Sequence, residues 1–182
     1  MIVAVLAGGQ SKRFGTDKAE AVFRGRTLLK IAIDAAQQAR MRVLVVGRHG
    51  TQPEVGYLMD DHPGLGPIGG LRTALRHTMQ PLILCGCDMP LLNAQAFQAL
   101  AGQYEARQNV AGIVTMNITQ PEPLFSLYTP QLLPLVEQQI ERGDRSMVHL
   151  IAITRMLPWP PPAHVLQALQ NTNTPEELAA LK

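Results

Sequence analysis

The sequence predicts a three-layer α/β/α sandwich around a mostly parallel β-sheet. Short β-branched runs alternate with helical segments through the first two thirds of the chain, which is the order of βαβ units. The first of these runs ends directly in a glycine-rich loop, at the edge where such sheets bind ligands. The 182 residues, 46% of them hydrophobic, suffice for a core, and we expect a single domain over residues 1–182.

The first half of the chain contains three predicted strands, each a short apolar run bounded by glycine, proline or polar residues. These strands are residues 2–6, 42–46 and 81–86. The helices between them are predicted over residues 27–40 and 71–79. Thr27 can cap the first helix through its hydroxyl, and Gly47 ends the second strand. Residues 7–17 and 64–70 are glycine-rich and are predicted to be loops.

The second half continues the alternation and then becomes less regular. Helices are predicted over residues 94–104, 130–142 and 145–153, and strands over 110–116 and 123–128. The last of these strands is expected to be antiparallel or at an edge. Residues 158–162 (PWPPP) form a stiff surface connection, because proline fits neither a helix interior nor a central strand. Thr174 caps a final helix that begins at Pro175, and Glu177 at its third position completes a capping box.

Charge and cysteine content exclude several classes of protein. The net charge is +2, with 16 basic and 14 acidic residues, which is too even for a nucleic-acid or membrane-surface protein. The two cysteines, Cys85 and Cys87, are one residue apart and predict no disulfide framework. No apolar stretch reaches the roughly 18 residues of a membrane span. We therefore expect a cytoplasmic protein without nucleic-acid or membrane partners.

The loop after the first strand, LAGGQSKRFGTDKA at residues 6–19, has the composition of a triphosphate site. Gly8 and Gly9 let the backbone approach a ligand closely, and basic side chains such as Arg13 and Lys18 add positive charge. The loop matches neither the P-loop nor the dinucleotide fingerprint. An ordinary glycine turn with a solvated basic stretch is the alternative, but the added donors favour ligand binding.

Asp88 follows the buried run 81–86 and is the strongest candidate for a metal ligand. A carboxylate at the carboxyl end of such a strand can hold Mg²⁺ against phosphate oxygens. A turn or helix-capping aspartate is the alternative. The pair Cys85 and Cys87 is a weak candidate for zinc, because no partner ligands stand at metal spacing, and small apolar strand residues are the better interpretation.

Two further segments are candidates for substrate contacts. Asp60 and Asp61 precede the loop that contains Gly66, and a carboxylate there could accept hydrogen bonds from a guanine while the glycines lie against the base. An acidic turn is an equally good interpretation of this spacing. Arg145 lies in the charged stretch ERGDRSM at residues 141–147, which could bind an anionic substrate or form a solvated turn.

Five motifs together resemble the molybdenum cofactor guanylyltransferases, also called molybdopterin-guanine dinucleotide synthases. In order along the chain they are LAGG at 6–9 (followed by Ser11, Arg13, Gly15, Asp17 and Lys18), GPIGG at 66–70, CDMP at 87–90, EPLF at 122–125 and NTNTPE at 171–176. The resemblance covers nearly the whole chain, and the motifs agree in order and spacing.

The resemblance implies a Rossmann-like fold of the nucleotide-diphospho-sugar transferase type. It implies transfer of GMP from GTP to molybdopterin or Mo-molybdopterin, with release of pyrophosphate and with Mg²⁺ as cofactor. Residues 6–9 (Leu6, Ala7, Gly8, Gly9) and Lys18 would hold GTP, Asp88 the metal, and Asp60 or Asp61 the guanosine. Asn173 would lie on the molybdopterin side. Other cofactor-biosynthesis proteins and acceptor molybdoenzymes are further candidate partners.

Departures from the family pattern leave alternatives open. Residues 45–48 read Val-Val-Gly-Arg where the family often has Asn-x-Asn-Arg, and Glu122 stands where it often has histidine. A molybdopterin cytidylyltransferase, another small-metabolite nucleotidyltransferase, and a non-catalytic nucleotide-binding partner in cofactor insertion are the alternatives. Gly8 favours guanine over cytosine, because the cytidylyl branch usually has alanine there and glycine leaves room for the larger base.

Overall fold

A computed structural model describes residues 1–8, 17–107 and 109–181 of the chain. The described residues contain an eight-stranded mixed sheet, a two-stranded hairpin and seven α-helices. The main sheet consists of β1 (Ile2–Leu6), β4 (Arg42–Val46), β5 (Val55–Leu58), β6 (Leu82–Gly86), β7 (Gly112–Asn117), β8 (Gln120–Pro121), β9 (Phe125–Tyr128) and β10 (Leu157–Trp159). The hairpin consists of β2 (Val22–Phe23) and β3 (Arg26–Thr27).

The strand order is β10-β7-β9-β6-β1-β4-β5, with β8 paired to β7. The strands β1, β4, β5 and β6 are parallel, and β1 lies between β4 and β6. The chain therefore reverses its direction of progress through the sheet at β1, which creates a crevice at the carboxyl ends of the strands. Of the longer strands only β9 runs against its neighbours, β6 and β7.

Helices cover both faces of the sheet, because successive residues of the central strands point to opposite faces and nearly all of them are buried. They are α1 (Leu28–Gln38), α2 (Pro67–Thr78), α3 (Ala94–Glu105), α4 (Leu133–Glu141), α5 (Met147–Ile153), α6 (Ala163–Ala168) and α7 (Pro175–Ala180). Val3 and Val5 pack in one apolar cluster with residues of α1, α3 and α6. Ile2 and Ala4 pack in a second cluster with residues of α2, α4 and α5. The predicted three-layer α/β/α sandwich is confirmed.

The structure refines the predictions for three individual elements. The strand Phe125–Tyr128 is antiparallel, which confirms one of the two predicted alternatives, and it lies inside the sheet between β6 and β7. The predicted loop 64–70 ends early, because α2 begins at Pro67 and includes both following glycines. Within the proline-rich stretch, Leu157–Trp159 forms an edge strand parallel to β7, which an edge tolerates because one side of the strand needs no ladder partner.

Helix ends follow the capping chemistry in the sequence. The hydroxyl of Thr27 accepts a hydrogen bond from the Lys30 N–H at 3.1 Å, as predicted. The hydroxyl of Thr174 accepts one from the Glu177 N–H at 3.2 Å. The Glu177 carboxylate reaches back to the N–H of Asn173 at 2.6 Å, one residue before the cap. This reciprocal arrangement fixes the segment before α7, which matters for the site below.

Candidate active site

A cleft lies where three parallel strands end at the same level. Leu6 is in register with Val46 on one side and with Gly86 on the other, so the segments after them emerge side by side. The described residues that line the cleft are Leu6, Ala7, Gly8, Asp17, Lys18, Ala19, Val46, Asp60, Gly66, Pro67, Gly70, Gly86, Cys87, Asp88 and Leu124. Backbone from several loops thus meets charged side chains at the crevice that the strand order creates.

Lys18 is the central side chain of this cleft. It begins a single 3₁₀ turn, Lys18–Glu20, which the Asp17 carboxylate caps by accepting from the Ala19 N–H at 3.0 Å. The Lys18 ammonium lies 3.5 Å from Oδ2 of Asp88 and donates to Oδ1 of Asn173 at 3.2 Å. Residues 155 positions apart therefore meet at one cation, which is well placed to contact an anionic ligand.

Asp88 follows β6, and its main chain also holds the C-terminal segment. The Thr172 N–H donates to the Asp88 carbonyl at 2.9 Å, so the residues before α7 are anchored against the strand end. The side chains of Asp88 and Lys18 are 21% and 14% exposed, which means that both reach into the cleft without being sealed from water. A ligand can therefore approach either group.

The opposite wall of the cleft is formed by Asp60 and the start of α2. The Thr73 hydroxyl donates to Oδ1 of Asp60 at 3.0 Å and accepts from the Asp61 N–H at 3.2 Å. Burial raises the pKa of Asp60, the Thr73 hydrogen bond opposes that rise, and the charge of Asp61 adds to it. Asp61 itself points away and lies 3.8 Å from Arg72, so the geometry selects Asp60 as the carboxylate of the cleft.

Gly66 provides the turn into α2. Its φ of +71° lies in the left-handed region, which a side chain would strain, and it precedes Pro67 at the first helical position. A Cβ at Gly70 would lie 2.6 Å from a methyl carbon of Leu6, so this glycine lets the helix approach the end of β1. The first turn of α2 thereby borders the cleft, with Gly66, Pro67 and Gly70 among the lining residues.

The floor of the cleft contains a backbone contact between Gly8 and Gly47. A Cβ at Gly8 would lie 2.8 Å from the Cα of Gly47, and one at Gly47 would lie 2.6 Å from the Cα of Gly8. Gly47 also has a φ of +95°. The nearest neighbours of a side chain at position 8 are thus atoms of Gly47. Close packing of the two strand ends is therefore a reason for glycine at position 8 that is independent of the base that the cleft accepts.

Three more ionisable groups, those of Glu122, Cys87 and Cys85, lie near enough to Asp88 to feel its charge. Burial and, after it, the negative charge of Asp88 raise the pKa of Glu122, while a backbone hydrogen bond at Leu124 opposes the rise. Burial and the charge of Asp88 raise the pKa of Cys87 to about 12, and burial raises that of Cys85 well above its ordinary value. Both cysteines are free and remain protonated at neutral pH, so neither is an activated nucleophile.

The predicted site residues are largely brought together. Those that line the cleft are Leu6, Ala7, Gly8, Lys18, Asp60, Gly66 and Asp88. Asn173 contacts Lys18 as described above. Arg145 does not line the cleft, and its guanidinium donates to the Gly64 carbonyl at 2.9 Å, which ties the segment before α5 to the glycine loop. Gly9 and Arg13 lie outside the described residues.

Sequence reasoning noted Asp17, Arg48 and Glu122 within motifs but assigned none of them a role in this site. Arg48 follows the carboxyl end of β4, and its guanidinium pairs with the carboxylates of Asp17 and Glu20. The position of Arg48 just after β4 could have indicated this, because β4 is parallel and adjacent to β1 and their carboxyl ends lie side by side. The sequence marked Glu122 only as part of the EPLF motif, because its proximity to Asp88 arises from the antiparallel pairing of β9 with β6.

The donor set of the cleft suits a metal that binds mainly to phosphate. Among residues 1–8, 17–107 and 109–181, no group of three or more His, Cys, Asp or Glu side chains could hold a metal ion. Asp88 is a hard oxygen ligand at the cleft surface. Mg²⁺ commonly takes one or two carboxylates together with substrate phosphates and water, so the residues present fit that ion.

The fold and the cleft together define a nucleotidyltransferase of the α/β class. The chain belongs to the family described as the MobA-like NTP transferase domain, whose sequence pattern matches residues 3–159.

Comparison with individual proteins agrees with this family. A probable molybdenum cofactor guanylyltransferase of Deinococcus radiodurans is 32% identical over 186 aligned positions, which cover 100% of this chain and 93% of that protein. The crystal structure of molybdopterin-guanine dinucleotide biosynthesis protein A from Archaeoglobus fulgidus superposes with a TM-score of 0.83 and 25% identity, over 98% of this chain and 95% of that one. The 2-C-methyl-D-erythritol 4-phosphate cytidylyltransferase of Thermus thermophilus shares the fold, with a TM-score of 0.67, 17% identity and coverage of 98% and 96%.

In the described part of the chain, no helix is both long enough and apolar enough to cross a membrane.

Proposed function

We propose that this protein transfers GMP from GTP to molybdopterin, with or without bound molybdenum, and releases pyrophosphate. The observation that carries the proposal is the 3.5 Å approach of the Lys18 ammonium to the Asp88 carboxylate at the aligned strand ends. A cation and a hard oxygen ligand are thereby adjacent, which is what a metal-bound triphosphate requires. The relatives named above supply the choice of nucleotide and acceptor.

Each wall of the cleft has a proposed substrate partner. The Gly8 N–H and the Lys18 ammonium bind the phosphates of GTP. Leu6 and Ala7 border them from the end of β1, where the Ala7 N–H is held by the Val46 carbonyl at 3.0 Å. The free oxygen of Asp60 accepts hydrogen bonds from the guanine edge, because Thr73 occupies its other oxygen. Gly66 and the start of α2 lie along the nucleoside. Arg13, which lies outside the described residues, remains a candidate for neutralising phosphate charge.

The reaction is an in-line displacement without a covalent enzyme intermediate. An oxygen of the terminal phosphate of molybdopterin forms a bond to the α-phosphorus of GTP, and the bond from that phosphorus to the bridging oxygen breaks, so that pyrophosphate leaves. The protein contributes by positioning both substrates and by offsetting negative charge. Lys18 supplies a fixed positive charge, and Asp88 is the proposed ligand of Mg²⁺. When bound, Mg²⁺ neutralises phosphate charge and orients the phosphate oxygens.

The acceptor side is proposed to lie beyond Lys18, toward the C-terminal segment. Asn173 is held there by the capping of α7 and by its own bond to Lys18, so a group that displaces this bond would face the reacting phosphate. On the other side of the cleft, Arg145 is proposed to contact an anionic substrate group from the segment before α5, where it is held by the Gly64 carbonyl. We further propose that residues 1–182 form one domain that works in the cytoplasm with other cofactor-biosynthesis proteins and acceptor molybdoenzymes.

A thermal-shift panel of GTP, CTP, ATP and UTP, with and without Mg²⁺, tests the nucleotide. A ligand that binds only the folded state adds about 2.7 kcal/mol at a hundredfold excess over its dissociation constant. We expect the largest shift with GTP, increased by Mg²⁺, and pyrophosphate release once molybdopterin is added. A larger shift with CTP would identify a cytidylyltransferase instead. Binding without turnover in the presence of acceptor would identify a non-catalytic nucleotide-binding module.

A further inference from the structure

Arg48 lies at the carboxyl end of β4, next to the phosphate side of the cleft, and has no role in the proposed reaction so far. Its side chain is 22% exposed, although arginine is normally a surface residue. One guanidinium nitrogen contacts Glu20 Oε1 at 2.6 Å, and another contacts Asp17 Oδ2. One planar cation therefore bridges the two carboxylates that flank the turn carrying Lys18, and the planar fork of arginine suits such bridging.

Asp17 makes this bridge significant because it lines the cleft next to Lys18 and its side chain is 44% exposed. An unneutralised carboxylate there would repel a triphosphate and would compete with it for the Lys18 ammonium. Oδ1 of Asp17 also caps the turn, so this side chain has a structural reason to be present despite its charge. Neutralisation by a neighbour resolves the conflict between capping the turn and binding an anion.

The backbone at Gly47 determines where Arg48 points. The positive φ of Gly47 and its contact with Gly8 turn the chain immediately before Arg48 at the level of the first strand end. The same turn therefore allows close packing of two strand ends and directs the guanidinium across to residues 17–20. Ala19, 2% exposed, anchors that turn in the core on its other side.

We propose that Arg48 is a positioning residue for nucleotide binding, which neutralises Asp17 and fixes the turn that presents Lys18 to the phosphates. This inference rests on the proposed function only in requiring that the cleft bind a guanine nucleotide. It assigns no contact between Arg48 and the substrate. If Arg48 acts in this way, its loss weakens nucleotide binding more strongly the more negative charge the nucleotide carries.

The test measures dissociation constants of GTP, GDP and GMP, with Mg²⁺, for the wild-type protein and for Arg48→Ala. We expect Arg48→Ala to weaken GTP binding about tenfold, GDP less and GMP least, since each step removes charge that Asp17 repels. Arg48→Gln, which keeps more of the side chain, should show the same order. The matched control is Arg42→Ala at the other end of β4, whose guanidinium bonds only to the neutral Gln80 at 3.2 Å among the contacts described.

The double variant Arg48→Ala/Asp17→Asn separates electrostatics from folding. Asparagine caps a helical turn as well as aspartate does but carries no charge. We expect the double variant to bind GTP within about threefold of Asp17→Asn alone. Equal weakening for all three nucleotides, or no recovery in the double variant, would overturn the inference. If the wild-type protein binds GTP and Arg48→Ala behaves like Arg42→Ala, only the inference fails; if the wild-type protein binds no guanine nucleotide, the proposed function fails with it.

Discussion

Replacing Asp88 by asparagine preserves the size of the side chain and removes the carboxylate charge that lies 3.5 Å from the Lys18 ammonium. The backbone carbonyl of Asp88 continues to accept from the Thr172 N–H, so the C-terminal segment stays anchored. Lys18 also keeps its bond to Asn173. The substitution therefore changes the electrostatics of the cleft with little change in its framework.

The two expected effects of Asp88→Asn differ widely in size. The pair is partly exposed, so water screens it and its loss should lower the free energy of unfolding by less than about 1 kcal/mol. Loss of a preorganised charge partner of the reacting phosphates should cost about 3 kcal/mol of transition-state stabilisation, or roughly 150-fold in turnover. Catalysis should therefore fall far more than stability.

Steady-state pyrophosphate release at saturating Mg²⁺, GTP and molybdopterin measures the loss of turnover, and denaturant unfolding measures the loss of stability. The matched control is Glu137→Gln, which removes a carboxylate 3.6 Å from Arg72 and 3.7 Å from Arg76, outside the cleft. It should leave turnover unchanged. Turnover of Asp88→Asn above about a third of wild type would refute the assignment of Asp88 as the metal ligand, because a charge partner of the reacting phosphates is worth far more.

Three further substitutions test other parts of the site. Gly8→Ala should destabilise the protein by about 1–3 kcal/mol through its clash with Gly47, and it should weaken the binding of GTP and CTP alike. Denaturant unfolding measures the stability and thermal shifts measure the binding. A selective gain in CTP binding would contradict this prediction. Because burial raises the pKa of Asp60, the free energy of unfolding should decrease as pH rises from the ordinary carboxyl range through that raised value. Asp60→Asn should abolish this decrease in unfolding experiments across pH and should weaken GTP binding; an unchanged pH profile would count against it. Thr174→Ala removes the cap of α7 and should lower the free energy of unfolding by about 1 kcal/mol. It should also raise KM modestly for GTP and molybdopterin in the pyrophosphate assay. A loss of stability without any change in KM would show that α7 does not support the site.

Local sequence patterns predicted the central parallel strands β1, β4 and β6 and the helix caps at Thr27 and Thr174, but they were weaker for the rest of the sheet. The strand Val55–Leu58 was not predicted, because it is short, contains a glycine and is only partly buried. The interior position of Phe125–Tyr128 depends on pairing with β6, some 40 residues earlier, and no local pattern carries that information. The helical state of Gly69 and Gly70 also depends on tertiary contact, because their missing side chains make room for Leu65 and Leu6.

The sequence by itself determined the alternation of strands and helices, and with it the edge of the sheet where ligands bind. It also identified Lys18 and Asp88 as candidates, because Lys18 lies in the glycine-rich stretch after the first strand and Asp88 follows a buried strand. Only the tertiary structure decided that these two side chains meet, that Asn173 joins them, and that Asp60 rather than Asp61 enters the cleft. It alone connected Arg48 to Asp17 and Gly8 to Gly47. The physical reason is that local propensities act over a few residues, whereas a site is formed by strand register and side-chain packing between distant segments.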